Sequence, residues 1–199
     1  MLAAAAAMWA ASPGIGRTTK VIRSADLLRG SATTKLKEND AVEENDRIRT
    51  QSSGRVRVVL NDGSILNVGQ SSLLTVRATT ATSRAGSLEM AYGRLRAIVT
   101  PSKTTPAPPA FEVRTATALC GVLGTTLFVD ASRDLTRIAN LSDDATSRVR
   151  VVARNPQSPG EVILMPGQGT SVPVSGAPQP PRRWSPEEVR AANADTEIP

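Results

Sequence analysis

The sequence predicts an all-β domain of short strands, followed by one short C-terminal helix. The dominant spacing of apolar residues between Val21 and Val174 is two, which is the period of a half-buried strand. Turn-forming Gly and Pro number 14 each in 199 residues, and no helical pattern alternates with the strands. Aromatic residues make up only 3% of the chain, so aliphatic side chains must fill the core. A sandwich, a barrel and a short β-solenoid are all compatible with this pattern.

The individual strands are predicted from alternation along the chain. Residues 55–60, 94–99, 111–114 and 148–151 each alternate apolar with mostly charged side chains. This alternation places the apolar groups on one face of a strand and the charged groups on the other. Further strands are expected near Leu73–Arg77, Leu127–Asp130, Leu135–Ala139, Glu161–Met165 and Thr170–Val174.

The strongest turn signal is Asn61-Asp62-Gly63, because these residue types tolerate the positive φ of tight turns. If the turn closes a hairpin, the register that pairs Val58 with Val68 is favoured, since it gives the cleaner apolar face. In a solenoid, the same turn would mark a corner instead. The Pro-interrupted stretch 100–109 is predicted to be a surface loop between an N-terminal and a C-terminal half.

The β domain is predicted to span residues 20–175, with a separate segment at each end. Residues 2–11 form an apolar, Ala-rich stretch of signal-peptide length, shorter than the about 20 residues that span a bilayer. Residues 1–19 are therefore expected to be an export-signal remnant or a disordered N-terminus. No other stretch approaches transmembrane length, so the chain as given is not expected to be integral to the membrane.

Residues 176–199 are predicted to be a Pro-rich linker and a short helix. Ser185 and Glu188 have the spacing of a capping box, and Pro186 fits the first helical position. The helix is expected to end near Ala192, with Asn193 as a left-handed stop. It is expected to dock on the domain or to fray.

Composition excludes several classes of catalytic and metal site. Histidine is absent, which removes Ser-His-Asp and Cys-His catalysis and nearly all His-based metal sites. The single cysteine, Cys120, lies in an apolar run and is predicted to be a buried thiol. Asp143 and Asp144 are adjacent, so their side chains are expected to diverge, and the stretch has few oxygen ligands for Ca²⁺. We therefore predict no catalytic residue, no metal site, no cofactor and no enzymatic activity.

Arginine dominates the positive charge. The formal charge of +6 comes from 24 basic and 18 acidic residues, and twenty of the basic residues are arginine. Their scatter along the strands favours solvated strand faces. If the strands are neighbours, three same-face pairs could instead hold an anionic polymer or the acidic face of a partner. The pairs are Arg55 with Arg57, Arg94 with Arg96, and Arg148 with Arg150.

Any such anion binding is expected to be weak and steeply dependent on salt. Binding of single-stranded nucleic acid would require aromatic platforms among the arginines, and Tyr92 alone does not supply them. No nucleic-acid partner is therefore predicted.

Four segments form an ordered set: residues 45–50 (NDRIRT), 54–68 (GRVRVVLNDGSILNV), 90–96 (MAYGRLR) and 111–125 (FEVRTATALCGVLGT). In order and spacing they resemble the signature segments of the FecR domain, named for the periplasmic ferric-citrate regulator of bacterial cell-surface signalling. The resemblance covers about residues 20–175. The chain departs from the family pattern by Leu123 in place of Arg, which removes a charge that could contact a partner. Asn45 in place of Gly and Ala116 in place of Pro are further departures.

The resemblance implies that ten motif residues maintain the fold. Gly121 and Gly124 are expected to permit a tight corner or a close backbone approach, and not a phosphate loop, because no Gly-Lys-Ser/Thr follows them. The ten residues are Asp46, Ile48, Thr50, Asp62, Gly63, Gly93, Thr115, Gly121, Gly124 and Thr125.

The resemblance further implies an extracytoplasmic, periplasmic location in a bacterium and a partner-binding or sensory role in envelope signalling. The full regulator also carries a cytoplasmic sigma-factor-binding region and a membrane span, for which this sequence shows no matching stretch. The expected partner is another envelope protein or an anionic polymer. The alternative is a structural or scaffold component of envelope or polysaccharide assembly without a signalling role.

Overall fold

The computed structural model describes residues 14–77, 86–101, 111–122 and 124–199. In these residues the chain forms short strands and one helix, which confirms the predicted all-β class with a short C-terminal helix. The elements are β1 (Gly16–Ile22), β2 (Ala25–Arg29), β3 (Ala32–Lys35), β4 (Ala41–Val42), β5 (Arg47–Thr50), β6 (Arg55–Leu60), β7 (Ile65–Val68), β8 (Leu73–Arg77), β9 (Gly86–Ile98), β10 (Phe111–Arg114), β11 (Ala118–Val122), β12 (Thr126–Ala131), β13 (Leu135–Asn140), β14 (Val149–Ala153), β15 (Glu161–Leu164), β16 (Gln168–Pro173), β17 (Arg182–Arg183) and α1 (Pro186–Thr196).

The strands form two sheets that share the long strand β9. Sheet A has the order β4-β1-β6-β7-β9-β12-β13-β16-β17, and sheet B has the order β3-β2-β5-β8-β9-β10-β11-β14-β15. Neighbouring strands are antiparallel except β9 and β10, which are parallel. Of the three architectures compatible with the sequence, the paired sheets correspond to the sandwich-like one.

Strand β9 changes sheets at Gly93. Its first part pairs with β8 and β10 in sheet B, and residues from Gly93 onward pair with β12 in sheet A. Gly93 has φ +98, a backbone conformation that other residues rarely adopt. A Cβ atom there would lie 2.4 Å from the Cα of Ser72, so the crossing requires glycine for both conformation and space.

A single aliphatic core lies between the sheets. Alternate residues of the central strands point into it, as the period-two pattern predicts, whereas the edge strands β3 and β17 are exposed. Val56, Val58, Ile48, Phe111 and Val151 are all fully buried there. The predicted burial of Cys120 is confirmed, and burial raises the pKa of its thiol to about 12.

The Asn61–Gly63 turn closes a β6–β7 hairpin, but the favoured register was wrong. Val58 pairs with Leu66, and Val56 pairs with Val68. The carboxylate of Asp62 accepts hydrogen bonds from Ser64 N at 2.8 Å and Ser64 Oγ at 3.1 Å. These bonds hold Ser64 opposite Leu60, where Leu60 N donates to Ser64 O. The shift of two residues leaves every side chain on its predicted face, because the strand period is two.

The chain termini are more closely tied to the sheets than the sequence suggests. Strand β1 begins at Gly16, inside the segment 1–19, while residues 1–13 lie outside the described residues, as do residues 102–109 of the predicted surface loop. In the predicted linker 176–199, Arg182 and Arg183 form β17 along β16.

The C-terminal helix has the predicted start but a later end. Ser185 Oγ accepts from Glu188 N, and the Glu188 carboxylate accepts from Ser185 N, so the capping box is confirmed. Asn193 is not the stop, because the helix continues to Thr196. In the added turn, Thr196 Oγ1 donates to Ala192 O of the same helix at 2.7 Å, and Asp195 forms an ion pair with Arg94.

Candidate interaction surface

Asp46 connects three segments at one end of sheet B. Its side chain is fully buried, and it accepts from Arg29 Nε at 2.8 Å, Arg29 Nη2 at 2.7 Å and Glu43 N at 2.7 Å. The Asp46 carboxylate raises the pKa of Arg29 through these hydrogen bonds. Ile48, two residues on, lies in the core.

Thr50 and Gly93 meet at Ser72, where β9 crosses between sheets. Thr50 Oγ1 donates to Gly69 O at 2.6 Å and accepts from Ser72 N at 2.9 Å. Ser72 Oγ accepts from Arg94 N at 2.9 Å, directly after Gly93. Asp62 and Gly63 stand at the far end of the β6–β7 hairpin, where Gly63 adopts φ +85. All of these motif residues therefore contribute to contacts inside the fold.

The motif residues of the second half also bond within the fold. Thr115 Oγ1 accepts from Ala118 N at 3.0 Å and lies 2.7 Å from Thr136 Oγ1, which joins the two sheets. Thr125 Oγ1 donates to Asn140 Oδ1 at 3.0 Å. Gly121 lies within β11, opposite Glu112 and Arg150. Gly124 has φ +125, and a Cβ there would lie 2.8 Å from the Cα of Pro101.

The three arginine pairs do not form one ladder. Arg55 and Arg57 lie on β6 and Arg94 and Arg96 on β9, with β7 between them in sheet A. Arg148 and Arg150 belong to the β14 region of sheet B.

The sheet B arginines bond locally. Arg148 donates to Ala145 O and Ser147 O, and Arg150 forms a bidentate pair with Glu161 at 2.6–2.7 Å. The Glu161 carboxylate raises the pKa of Arg150.

A line of outward-facing residues crosses sheet A from β6 to β16. We call it the cross-strand row, and neighbours along it are direct cross-strand partners. Its members are Arg57, Asn67, Arg96, Phe128, Ala139 and Gly169. Although these residues face away from the core, Asn67 and Phe128 are each only 3% exposed, and Ala139 is fully buried. Another part of the chain must therefore cover them.

The cover is the C-terminal segment, residues 182–199. Trp184 packs on Phe128 with ring centroids 5.8 Å apart and an interplanar angle of 68°, and Ala192 joins the same cluster. Gly169 makes room for the indole, because a Cβ there would lie 2.0 Å from Trp184 Nε1. The Arg137 guanidinium stands 5.4 Å from the centre of the Trp184 ring, at cation–π distance.

The end of the segment lies close to Arg57 and Arg96 of the row and to Arg94, two residues before Arg96 on β9. Arg57 Nη2 donates to Ile198 O, and Ile198 is 3% exposed. Arg94 Nε lies 3.3 Å from Asp195 Oδ2 and 3.7 Å from Asp130 Oδ2. Desolvation lowers the pKa of Arg96, and the nearby charge of Glu197 opposes that effect.

A cavity of about 380 Å³ lies between α1 and sheet A. Phe128 and Trp184 contribute its aromatic wall, and Arg94 and Arg137 face the carboxylates of Asp130, Glu188 and Asp195. The alternation of β9 placed Arg94 and Arg96 on an outward face. The sequence pattern does not predict that residues 195–198 cover that face, because these residues contact strands that are distant in the chain.

No three or more Cys, Asp or Glu side chains come together among the described residues as a set able to hold a metal ion. The described part of the chain also contains no helix with the length and apolar character needed to cross a bilayer.

Comparison with solved structures supports the fold. Two crystal structures of a putative anti-sigma factor from Parabacteroides distasonis ATCC 8503, at 2.50 and 1.65 Å resolution, each align with a TM-score of 0.56 and 22% sequence identity. Each alignment covers 73% of this chain, and 62% and 63% of the respective solved chains. The chain therefore spans less than two thirds of the length of those structures.

Comparison with the curated proteins finds no match. The family model described as FecR protein matches residues 46–146, just over half of the chain. The matched range begins at the buried Asp46 and includes the shared strand β9 and the β12–β13 hairpin. This chain belongs to the FecR protein family.

Proposed function

We propose that this chain is a non-enzymatic regulatory module of bacterial cell-surface signalling, of the ferric-citrate-regulator type, located outside the cytoplasm. It acts by binding another envelope protein. The observation that carries the proposal is the FecR family match over residues 46–146. The solved proteins that share the fold are named putative anti-sigma factor, which supports a regulatory role.

The ionisable groups that bond within the fold support the non-enzymatic part of the proposal. The carboxylate of Asp46 is buried against Arg29, and that of Asp26 lies between Lys35 and Arg49. Hydrogen bonds from Lys35 and then Arg49 lower the pKa of Asp26, so it stays ionised and bound to the neighbouring strands. The pKa of the Cys120 thiol is raised to about 12, the opposite of what a nucleophile requires.

Deletion of the gene in its native host, followed by transcript sequencing, tests the regulatory role. We expect one group of genes with a shared promoter element to change expression, and a plasmid copy of the wild-type gene to restore it. A copy carrying Ile48→Asp, which places a charge in the core, is the matched control and should not restore expression. An altered envelope with unchanged transcription would overturn the proposal and favour the scaffold role.

The location is tested separately by fusing a reporter enzyme that is active only outside the cytoplasm to the C-terminus of the gene product, expressed from its own locus in the native host. We expect an active fusion. An inactive fusion that accumulates to the same level as a cytoplasmic control would contradict the extracytoplasmic assignment.

A further inference from the structure

We propose that the outer face of sheet A at Arg57 and Arg96 is a peptide-binding surface that residues 195–199 of the chain itself occupy. Its external ligand is a segment of a partner protein that carries carboxylates next to a β-branched aliphatic residue. The inference rests on the proposed function, since it specifies the chemistry of the partner.

The first argument is that the chain's own segment shows which chemistry the face accepts. Residues 195–199 read Asp-Thr-Glu-Ile-Pro, in which two carboxylates precede one aliphatic residue. Arg57 binds the carbonyl of Ile198, Arg94 binds Asp195, and Ile198 is buried. The main-chain atoms also approach closely, because a Cβ on Gly69 would lie 2.9 Å from Asp195 O. The cationic face of sheet A therefore contacts both the backbone and the side chains of an acidic peptide that contains one aliphatic residue.

The second argument is that this self-contact leaves the arginines incompletely bonded. Arg96 Nε and Arg55 Nε are buried, and neither has a hydrogen-bond partner within the described chain. The ion pairs found in that part of the chain do not include one between Arg96 and Glu197. A buried N–H group without an acceptor lowers the stability of the complex. A ligand whose carboxylate accepts a hydrogen bond from Arg96 would therefore bind more tightly than residues 195–199 do.

The third argument is that residues 195–199 can separate from the rest of the segment. Trp184 and the capping box anchor the start of α1, whereas its last turn contains no basic residue. Asp195 there faces the negative end of the helix dipole, which is unfavourable. Glu197 ends the helix in an extended conformation. The terminal residues can therefore leave the arginines while Trp184 stays packed on Phe128.

Binding of a labelled peptide tests the surface directly. The probe is Asn-Ala-Asp-Thr-Glu-Ile-Pro, the sequence of residues 193–199, with an amidated end and an N-terminal fluorophore, followed by anisotropy. The full chain should bind it weakly, because its own segment occupies the site. Ile198→Ser removes the buried anchor and should tighten binding about tenfold, as expected if the site is otherwise open about one tenth of the time.

Two matched variants in the Ile198→Ser background locate the site. Arg94→Gln, which removes the ion pair with the aspartate of the segment, should weaken peptide binding about fivefold. Arg114→Gln, an exposed arginine of sheet B paired with Glu112, should leave it unchanged. A peptide with Asn and Gln in place of Asp and Glu should not bind. Circular dichroism of each variant confirms that it is folded.

Three results would overturn the proposal: equal affinity of the wild type and Ile198→Ser, full binding by Arg94→Gln, or full binding of the neutral peptide. Sedimentation of the wild type checks the alternative occupant. A dimer that Ile198→Ser abolishes, without peptide binding, would assign the face to a second copy of the chain. The assay contains only purified chain and peptide, so its failure leaves the transcription test of the proposed function unaffected.

Discussion

Replacement of Gly93 by alanine should destabilise the fold far more than the same replacement at Gly30. Both glycines have positive φ, +98 and +57. They differ in their surroundings: a Cβ at Gly30 would meet nothing within 4 Å, whereas one at Gly93 would lie 2.2–2.5 Å from atoms of Ser72. Gly30→Ala is therefore a matched control that contains the conformational cost without the steric one.

The expected magnitude follows from what Ser72 holds together. Positive φ costs alanine about 1–2 kcal/mol in either variant. To admit the new methyl group, Ser72 must move away from Arg94 N at 2.9 Å, Gln70 O at 3.0 Å and Thr50 Oγ1 at 2.9 Å. These three hydrogen bonds contribute about 1 kcal/mol each. Gly93→Ala should thus cost about 4–5 kcal/mol, a large share of the about 5–15 kcal/mol of a typical domain.

Urea unfolding followed by far-UV circular dichroism measures the difference. We expect Gly93→Ala to lose about 3 kcal/mol more of the unfolding free energy than Gly30→Ala. Ser72→Ala, which removes only the hydroxyl bonds, should cost about 2 kcal/mol and keeps the test quantitative if Gly93→Ala does not fold. Equal losses for the two glycine variants, within about 1 kcal/mol, would refute the role assigned to the crossing.

Three further predictions concern α1 and the core. The hydrogen bond from Arg182, followed by that from Ser185, lowers the pKa of Glu188 to about 2. Its contribution to the free energy of unfolding is therefore present above its unfolded pKa of about 4.5 and is lost as the pH falls towards 2. In urea unfolding, Glu188→Gln should lower the free energy of unfolding by about 1 kcal/mol at pH 6 and leave it unchanged at pH 2. Trp184→Ala should cost about 3 kcal/mol and weaken the near-UV circular dichroism, whereas a stability loss below about 1 kcal/mol would contradict its packing on Phe128. The Cys120 thiol should resist iodoacetamide at pH 8 until urea unfolds the chain, and rapid labelling of the folded protein would contradict its burial.

Much of the fold could be predicted from local pattern. The alternation in residues 55–60 identified the inward face of β6: Val56 and Val58 are fully buried and Leu60 is partly buried. The start of α1 was predictable because its capping box lies within four consecutive residues. The hairpin register was not predictable by apolar matching, since two registers bury the same face. The hydrogen bonds of Asp62 to Ser64 decide between them.

The candidate surface could be predicted only in part. The sequence identified Arg57, Arg94 and Arg96 as outward-facing, because strand periodicity fixes the direction of a side chain. The sequence analysis considered these three arginines together with Arg148 and Arg150, but the fold places Arg148 and Arg150 on sheet B. Strand order depends on pairings between residues distant in the chain, and side-chain periodicity contains no information about them.

The sequence by itself determined the all-β class, the faces of the strands, the family and the helix cap, because each of these depends on residues that are close together in the chain. Only the tertiary structure decided that β9 belongs to both sheets and that residues 182–199 cover one outer face. Both depend on contacts such as Gly93 with Ser72 and Arg57 with Ile198, which join residues 21 and 141 positions apart. The free energy of such contacts depends on how the whole chain packs, and no local pattern encodes it.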